Sequence, residues 1–220
     1  MIFSILKGSD IDAAFKWQCL ERMKTGVMRP LTREEFEALV ATKSVWIVKD
    51  GDSEFVGIGH VACTELEERP SFLWEIGGVF INENCRGCGL SRYLLDFLLG
   101  YLLYYETPTK RKERVVVRVH EKNAKLGSRF SEIGFRQANF DILIPGGEFK
   151  GVDVNEDGNI VVHEYTLICP DALDRLAFSL AKWKEGTHAG HTVNLGEDET
   201  IEKWVVAIEE LADLCRGGGY

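Results

Sequence analysis

The sequence has no apolar run long enough to cross a bilayer: its longest such stretch, Leu90 to Tyr105, is interrupted by Arg92 and Asp96. The opening residues carry no basic n-region, and Ile2 to Leu6 is too short for the apolar core of a secretory signal, so no leader is expected. Cysteine occurs six times without regular spacing. That pattern argues against a disulfide framework and predicts reduced thiols in a cytoplasmic protein. Positive charge is in deficit, with 26 Lys and Arg against 35 Asp and Glu for a formal charge of −9. Such a balance excludes nucleic acid as the main partner. The deficit concentrates in residues 186–220, where seven acidic side chains stand against Lys203 and Arg216. A solvated acidic face accounts for it; a surface attracting a basic substrate or partner is the sharper alternative.

What is present suits a folded domain. With 220 residues, 45% hydrophobic and 28% charged, the chain can bury a sizeable core. Pro30-Leu31-Thr32-Arg33-Glu34-Glu35-Phe36 predicts a helix start, with Thr32 and Glu35 as a capping box and Leu31 stapling onto Phe36. Residues 44–49 and 54–64 read as strands joined at Asp50-Gly51-Asp52, a hairpin signal, and a charged loop follows over 65–70. Apolar residues at 90, 93, 94, 97, 98, 101, 102 and 105 hold helical spacing and predict a long buried helix.

The chemistry is concentrated just before that helix. The strand Trp74-Glu75-Ile76-Gly77-Gly78-Val79-Phe80-Ile81 runs into Asn82-Glu83-Asn84-Cys85-Arg86-Gly87-Cys88-Gly89-Leu90-Ser91. A glycine-rich turn at a helix N-terminus points backbone N–H groups into one concavity and suits a pyrophosphate. It is not a dinucleotide fingerprint, because position 92 is arginine rather than a third glycine. Nor is it a P-loop, which needs Gly-Lys-Ser/Thr. What remains is Arg-x-x-Gly-x-small, formed by Arg86, Gly89 and Ser91.

That block resembles the acyl-CoA-binding motif of the GNAT superfamily of N-acetyltransferases, with serine in the last small-residue slot. A second block supports the resemblance: Val115-Val116-Val117-Arg118-Val119, then Asn123, then Gly134-Phe135 one short helix later. The resemblance implies an α/β (α+β) fold with a mixed, mostly antiparallel sheet and helices on both faces. It implies acetyl-CoA as acyl donor and a primary amine, of a small molecule or a protein, as acceptor. It places the cofactor on Val79, Phe80, Ile81, Arg86, Gly87, Cys88, Gly89, Leu90, Ser91, Arg92 and Asn123. It also implies splayed strands at 72–81 and 115–120 that receive the pantetheine arm. Where the family often has a tyrosine general acid, seven residues after the asparagine, this chain has Phe130. A catalytically weak or inactive acyl-CoA-binding protein is therefore the alternative. Glu75 is the first candidate for a general base and His120, an imidazole at the end of the adjacent strand, the second.

Three further features need a reading. Asp153-x-Asn155-x-Asp157-Gly158-x-Ile160 with Glu164 matches an EF-hand calcium loop, but Pro145-Gly146-Gly147 precedes it and a β-rich run follows. A hairpin at Asp157-Gly158 is expected instead. Cys85-x-x-Cys88 lacks a second ligand pair, so no metal site is expected, although Cys88 is the first candidate for a reactive thiol. Residues 1–169 read as the acyl-CoA-binding domain and 170–220 as a C-terminal helical extension. The extension's two amphipathic helices are separated by a linker that carries His188 and His191. They would form an extra layer on the sheet, a homodimer contact, or a docking or lid element.

Overall fold

A nine-stranded sheet organises the chain in a computed structural model that describes residues 1–28, 31–51, 54–66, 71–105, 114–148, 152–167, 171–195 and 199–217. The elements follow as β1 (Ile2–Ile5), α1 (Ile11–Met23), α2 (Arg33–Ala41), β2 (Val45–Asp50), β3 (Glu54–Leu66) and β4 (Ser71–Ile81). Next come α3 (Leu90–Tyr105), β5 (Arg114–His120), α4 (Ala124–Glu132), β6 (Phe135–Pro145) and β7 (Asn159–Leu167). The chain closes with α5 (Asp171–Leu180), β8 (Thr187–His188), β9 (His191–Asn194) and α6 (Ile201–Arg216). The strand order is β6-β7-β5-β4-β3-β2-β1-β9-β8, antiparallel except where β4 meets β5 and β1 meets β9. This is the mixed, mostly antiparallel sheet that the resemblance implies.

Helices cover both faces. On one, α1 and α2 pack Ala14 and Phe36 over Val45, Ile47, Ile58 and Phe80. The α2 start is built as its sequence predicts: Glu35 N–H donates to Thr32 Oγ1 at 3.2 Å, and Thr32 N–H donates to Glu35 Oε2 at 2.7 Å. Pro30, Asp52 and the loop residues 67–70 lie outside the described residues. On the opposite face α3 buries Leu90, Leu94, Phe97, Leu98, Tyr101 and Leu102 against the sheet, as its 3.6-residue period requires.

The chain after 170 belongs to the same sheet and core. The two expected helices are α5 and α6, but the segment between them is a small hairpin whose β9 pairs in parallel with β1, Phe3 opposite Val193. His188 and His191 face each other across that hairpin. Trp183 and Trp204, both fully buried, enter the core made by Phe3, Trp46 and Phe97. Trp204 meets Trp46 with ring centroids 5.9 Å apart, and Trp183 meets Phe97 at 4.9 Å. Trp204→Ala is expected to cost about 3–5 kcal/mol in urea unfolding, because the indole volume cannot be refilled. A loss below about 1 kcal/mol would show that α6 is only loosely attached.

Between β6 and β7 the chain forms the expected turn at Asp157-Gly158. Asn155 Oδ1 accepts from Asp157 N–H at 3.1 Å and from Asn159 N–H at 2.9 Å. Glu164, which would be the twelfth-position ligand, sits buried in β7 against Arg118. Among the described residues no three His, Cys, Asp or Glu side chains gather around a common point.

Candidate active site

Two strands part at the centre of the sheet. β4 and β5 pair only at Leu73–Arg114, Trp74–Val115 and Glu75–Val116, yet β4 continues to Ile81 and β5 to His120. Beyond Glu75 their facing edges are therefore unbonded to each other. β4 also carries a bulge: Ile58 of β3 lies opposite Phe80, but His60 lies opposite Gly77, so β4 holds one extra residue. Gly78 makes that bulge with φ +60°, a conformation that a side chain would strain. At the end of β4, Asn82 N–H donates to Val56 O at 2.7 Å. Because neighbouring residues of a strand alternate in direction, the Ile81 amide turns the other way, toward the parted edge.

The turn after β4 is open. Gly87 and Gly89 have φ +88° and +79°. A Cβ at Gly87 would meet nothing within 4 Å, and one at Gly89 only Tyr93 Cε2 at 3.8 Å. Cys85 and Arg86 use their amides inside the turn, on Asn82 O and Glu83 O. Arg92 N–H donates to Gly89 O at 3.0 Å, so it belongs to the helix. Between them, no hydrogen bond among the described residues takes the amides of Gly87, Cys88, Gly89, Leu90 and Ser91. Five consecutive N–H groups thus stand at the positive end of a sixteen-residue helix, a geometry that suits an anion. Arg86 folds back instead of lining the turn: its Nε donates to Ile81 O at 3.1 Å and its guanidinium lies over the Phe80 ring. Asn123 stands at the N-cap of α4 without a side-chain capping bond.

On the α1 face of the parted strands lies a cleft of about 350 Å³. Its floor is a charge ladder across three strands. Arg118 of β5 donates through Nη1 to Glu75 Oε2 of β4 at 2.9 Å and through Nη2 to Glu164 Oε2 of β7 at 3.3 Å. Glu164 alone is deeply buried; the Glu75 and Arg118 side chains keep about a third of their surface, 31% and 32%. Arg22, His60 and His120 close the sides, and Val27, Met28, Leu31, Ile144 and Val152 make an apolar upper wall. The α1–α2 loop and the β6–β7 loop meet there, Asp153 N–H donating to Gly26 O at 2.7 Å.

His120 is bonded at both ring nitrogens. Lys122 N–H donates to Nδ1 at 3.1 Å, which makes Nδ1 the acceptor, so the ring proton resides on Nε2 and is given to Asp153 O at 3.0 Å. The imidazole ties β5 to the β6–β7 loop and has no lone pair left for the cleft. Periodicity along the sequence does not reveal Arg22 or His60 as cleft residues, because they come from α1 and β3 and meet Gly77 and Gly78 only through the sheet register.

Phe130 is buried against Phe135 and Tyr165. The Tyr165 hydroxyl occupies the space that a side chain at Gly127 would fill, 2.1 Å from that Cβ position, and donates to Gln137 Oε1 at 3.3 Å. It points to the β6 side, away from the parted strands.

Behind the turn, α3 carries a buried carboxyl. Burial pushes Asp96 up to about 6; the Ser179 hydroxyl at 2.5 Å, and then Arg92 and Lys182, work in the opposite direction. Since the folded-state value is raised, the protein is favoured at acidic pH and loses that contribution as pH rises through about 6. Asp96→Asn is expected to stabilise the protein by about 2–3 kcal/mol at pH 8 and by almost nothing near pH 4. Urea titrations at the two pH values check the sign.

Residues 11–124, more than half of the chain, match the model of the acetyltransferase (GNAT) family. The chain belongs to the GNAT acetyltransferase family. No curated relative matches the sequence. Among solved structures, Arabidopsis thaliana NAA60 in complex with acetyl-CoA shares 16% identity with a TM-score of 0.53, over 74% of this chain and 96% of its own. The ribosomal-protein-alanine N-acetyltransferase of Brucella melitensis shares 14% with a TM-score of 0.54, over 77% and 100%. The NatC complex bound to Gag peptide and CoA shares 10% with a TM-score of 0.56, over 76% and 98%. At these identities the likeness is one of fold, and it is the GNAT fold in each case.

Proposed function

We propose that this GNAT chain transfers an acetyl group from acetyl-CoA to a primary amine of a protein or a small molecule. The parting of β4 from β5, with an open amide turn at its end and a carboxylate-bearing cleft behind it, is the observation that carries this reading. Acetyl-CoA supplies an acyl group already activated as a thioester. The amides of Gly87 to Ser91 are suited to hold its diphosphate, and the amides of Val79 and Ile81 offer donors beside the gap that β5 leaves. Phe80 lies between them with its ring in the α1–α2 core, and Asn123 follows the end of β5 at the N-cap of α4.

The acceptor enters from the cleft. A lysine-like amine with a pKa of ~10.4 is neutral in only about one molecule per thousand near neutral pH, a deficit of about 4 kcal/mol. Glu75, paired with Arg118 and lining the cleft, is the candidate to take that proton. His120, bonded at both nitrogens, serves the architecture. Apolar walls above the charged floor suit an amine whose neighbouring atoms are uncharged. By their names one neighbour is a ribosomal-protein-alanine N-acetyltransferase and another is bound to a peptide, so peptides belong in the acceptor panel. Six cysteines without a regular spacing fit a reducing, cytoplasmic setting.

Phe130 favours a second reading, a GNAT protein that binds acetyl-CoA without efficient turnover, because it offers no proton at the usual position. Calorimetry with acetyl-CoA followed by thiol-release assays against an amine and peptide panel separates the two. Binding with product supports the transferase, binding without product supports the second reading, and no binding removes both.

A further inference from the structure

The bulge in β4 is held by a side chain from outside the strand. Arg22, in the last turn of α1, is 2% exposed, and its Nη2 donates to Gly78 O at 3.3 Å. The packing there leaves no latitude: a Cβ at Gly78 would lie 2.2 Å from Arg22 Nη2 and 2.7 Å from the His60 ring. Gly77 is hemmed in likewise, 2.8 Å from His60 Nε2. Both glycines are therefore required by Arg22 and His60, and Gly78 is additionally required by its φ of +60°.

A trans peptide is planar, with its C=O and N–H antiparallel. When Gly78 C=O points at Arg22 on the α1 face, the N–H of the same plane, which is that of Val79, points away from Arg22. That is the side of the sheet on which the Val79 side chain packs, against the core around α3. Nothing intrinsic to glycine enforces this orientation, because glycine adopts positive and negative φ with similar ease and its following peptide plane can turn over. The ladder with β3 cannot enforce it either, since the register is broken at this point. A charged donor on the carbonyl does enforce it.

We infer that Arg22 is a positioning residue for acetyl transfer, locking the Gly78–Val79 peptide plane so that the Val79 amide is presented to the acyl carbonyl. The inference rests on the acetyltransferase reading above. Arg22 acts through the backbone. With almost no exposed surface, it has little to offer an acceptor molecule, and its place on the carbonyl explains why a guanidinium is buried at the rim of a cleft. Burying a cation is costly unless it is well bonded, so an unbranched apolar residue is the informative replacement.

The test uses acetyl-CoA labelled with ¹³C at the acyl carbonyl and the infrared band of that carbonyl when bound to the full chain. In the wild type the band should lie below that of free acetyl-CoA, as an amide donor polarises the bond. Arg22→Met should return the band toward the free value while acetyl-CoA affinity stays unchanged, and Arg22→Lys should keep part of the shift. In turnover, Arg22→Met should lower kcat about 100-fold without raising KM for acetyl-CoA. If Arg22→Met does not fold, Arg22→Gln, two atoms shorter and still polar, takes its place with the same expected loss. A folded variant that keeps the wild-type band overturns the inference. So does a wild type that binds acetyl-CoA without any shift, while the acetyl-CoA reading survives. A wild type that fails to bind acetyl-CoA removes the reading itself, and the inference with it.

Discussion

Gly89→Val is expected to lower acetyl-CoA affinity about 10- to 100-fold while leaving the protein folded. Gly89 sits at φ +79°, and a β-branched residue there carries about 1–3 kcal/mol of strain. Inside the protein the added atoms have room, since the nearest contact to a Cβ is Tyr93 Cε2 at 3.8 Å. The damage is therefore directed outward. Relief of the strain rotates the amides of Gly89 and Leu90 out of the concavity, and the new side chain stands where a diphosphate must approach closely. Stability should fall by no more than about 3 kcal/mol, since strain is the main internal cost. Calorimetric Kd and thermal unfolding measured together check both halves. A variant that binds acetyl-CoA like the wild type would show that the turn does not hold the diphosphate.

Glu75→Gln is expected to reduce kcat about 100-fold or more without changing acetyl-CoA affinity. Glutamine keeps the length, and its carbonyl oxygen can still accept from Arg118, which now reaches Glu75 at 2.9 Å. The property removed is basicity. The pH profile should carry the signature: without a base only amine that is already neutral reacts, so the rate should climb about tenfold per pH unit toward the amine's own pKa of ~10.4. The wild type should level off earlier. His120→Asn provides the control. It breaks two hydrogen bonds, and its cost should fall on stability, about 1–3 kcal/mol, with kcat nearly preserved. If the two variants exchange these phenotypes, the base lies on β5.

Local signals along the chain were readable because local chemistry produces them. The capping box at Thr32 and Glu35, the apolar period of α3 and the glycines at 87 and 89 act within a few residues of themselves, and each appears in the structure where its spacing puts it. The open amides follow from the same short range. What depends on register was hidden. Arg118 reaches both Glu75 and Glu164 only because β5 lies between β4 and β7, an order unrelated to the order of synthesis. Nothing in the sequence around Arg22 says that it will meet a carbonyl 56 residues away. The tail offered a subtler case. Its helices were legible by period, but four residues of strand, His191–Asn194, are too few to declare themselves until β1 supplies the edge they complete.

That parallel seam between residues 2–4 and 192–194 also constrains how the molecule comes into being. Its two sides lie far apart in the sequence, and such distant partners are slow to meet. On the ribosome, β1 must wait with an open border until residues 191–194 have emerged. The indole rings of Trp183 and Trp204, which complete the core around Phe97 and Trp46, arrive equally late. Chains released early, before residue 190, would display an unpaired strand beside uncovered aromatic surface, the combination most prone to clumping. Emergence of β9 and α6 is thus the event that makes the fold safe.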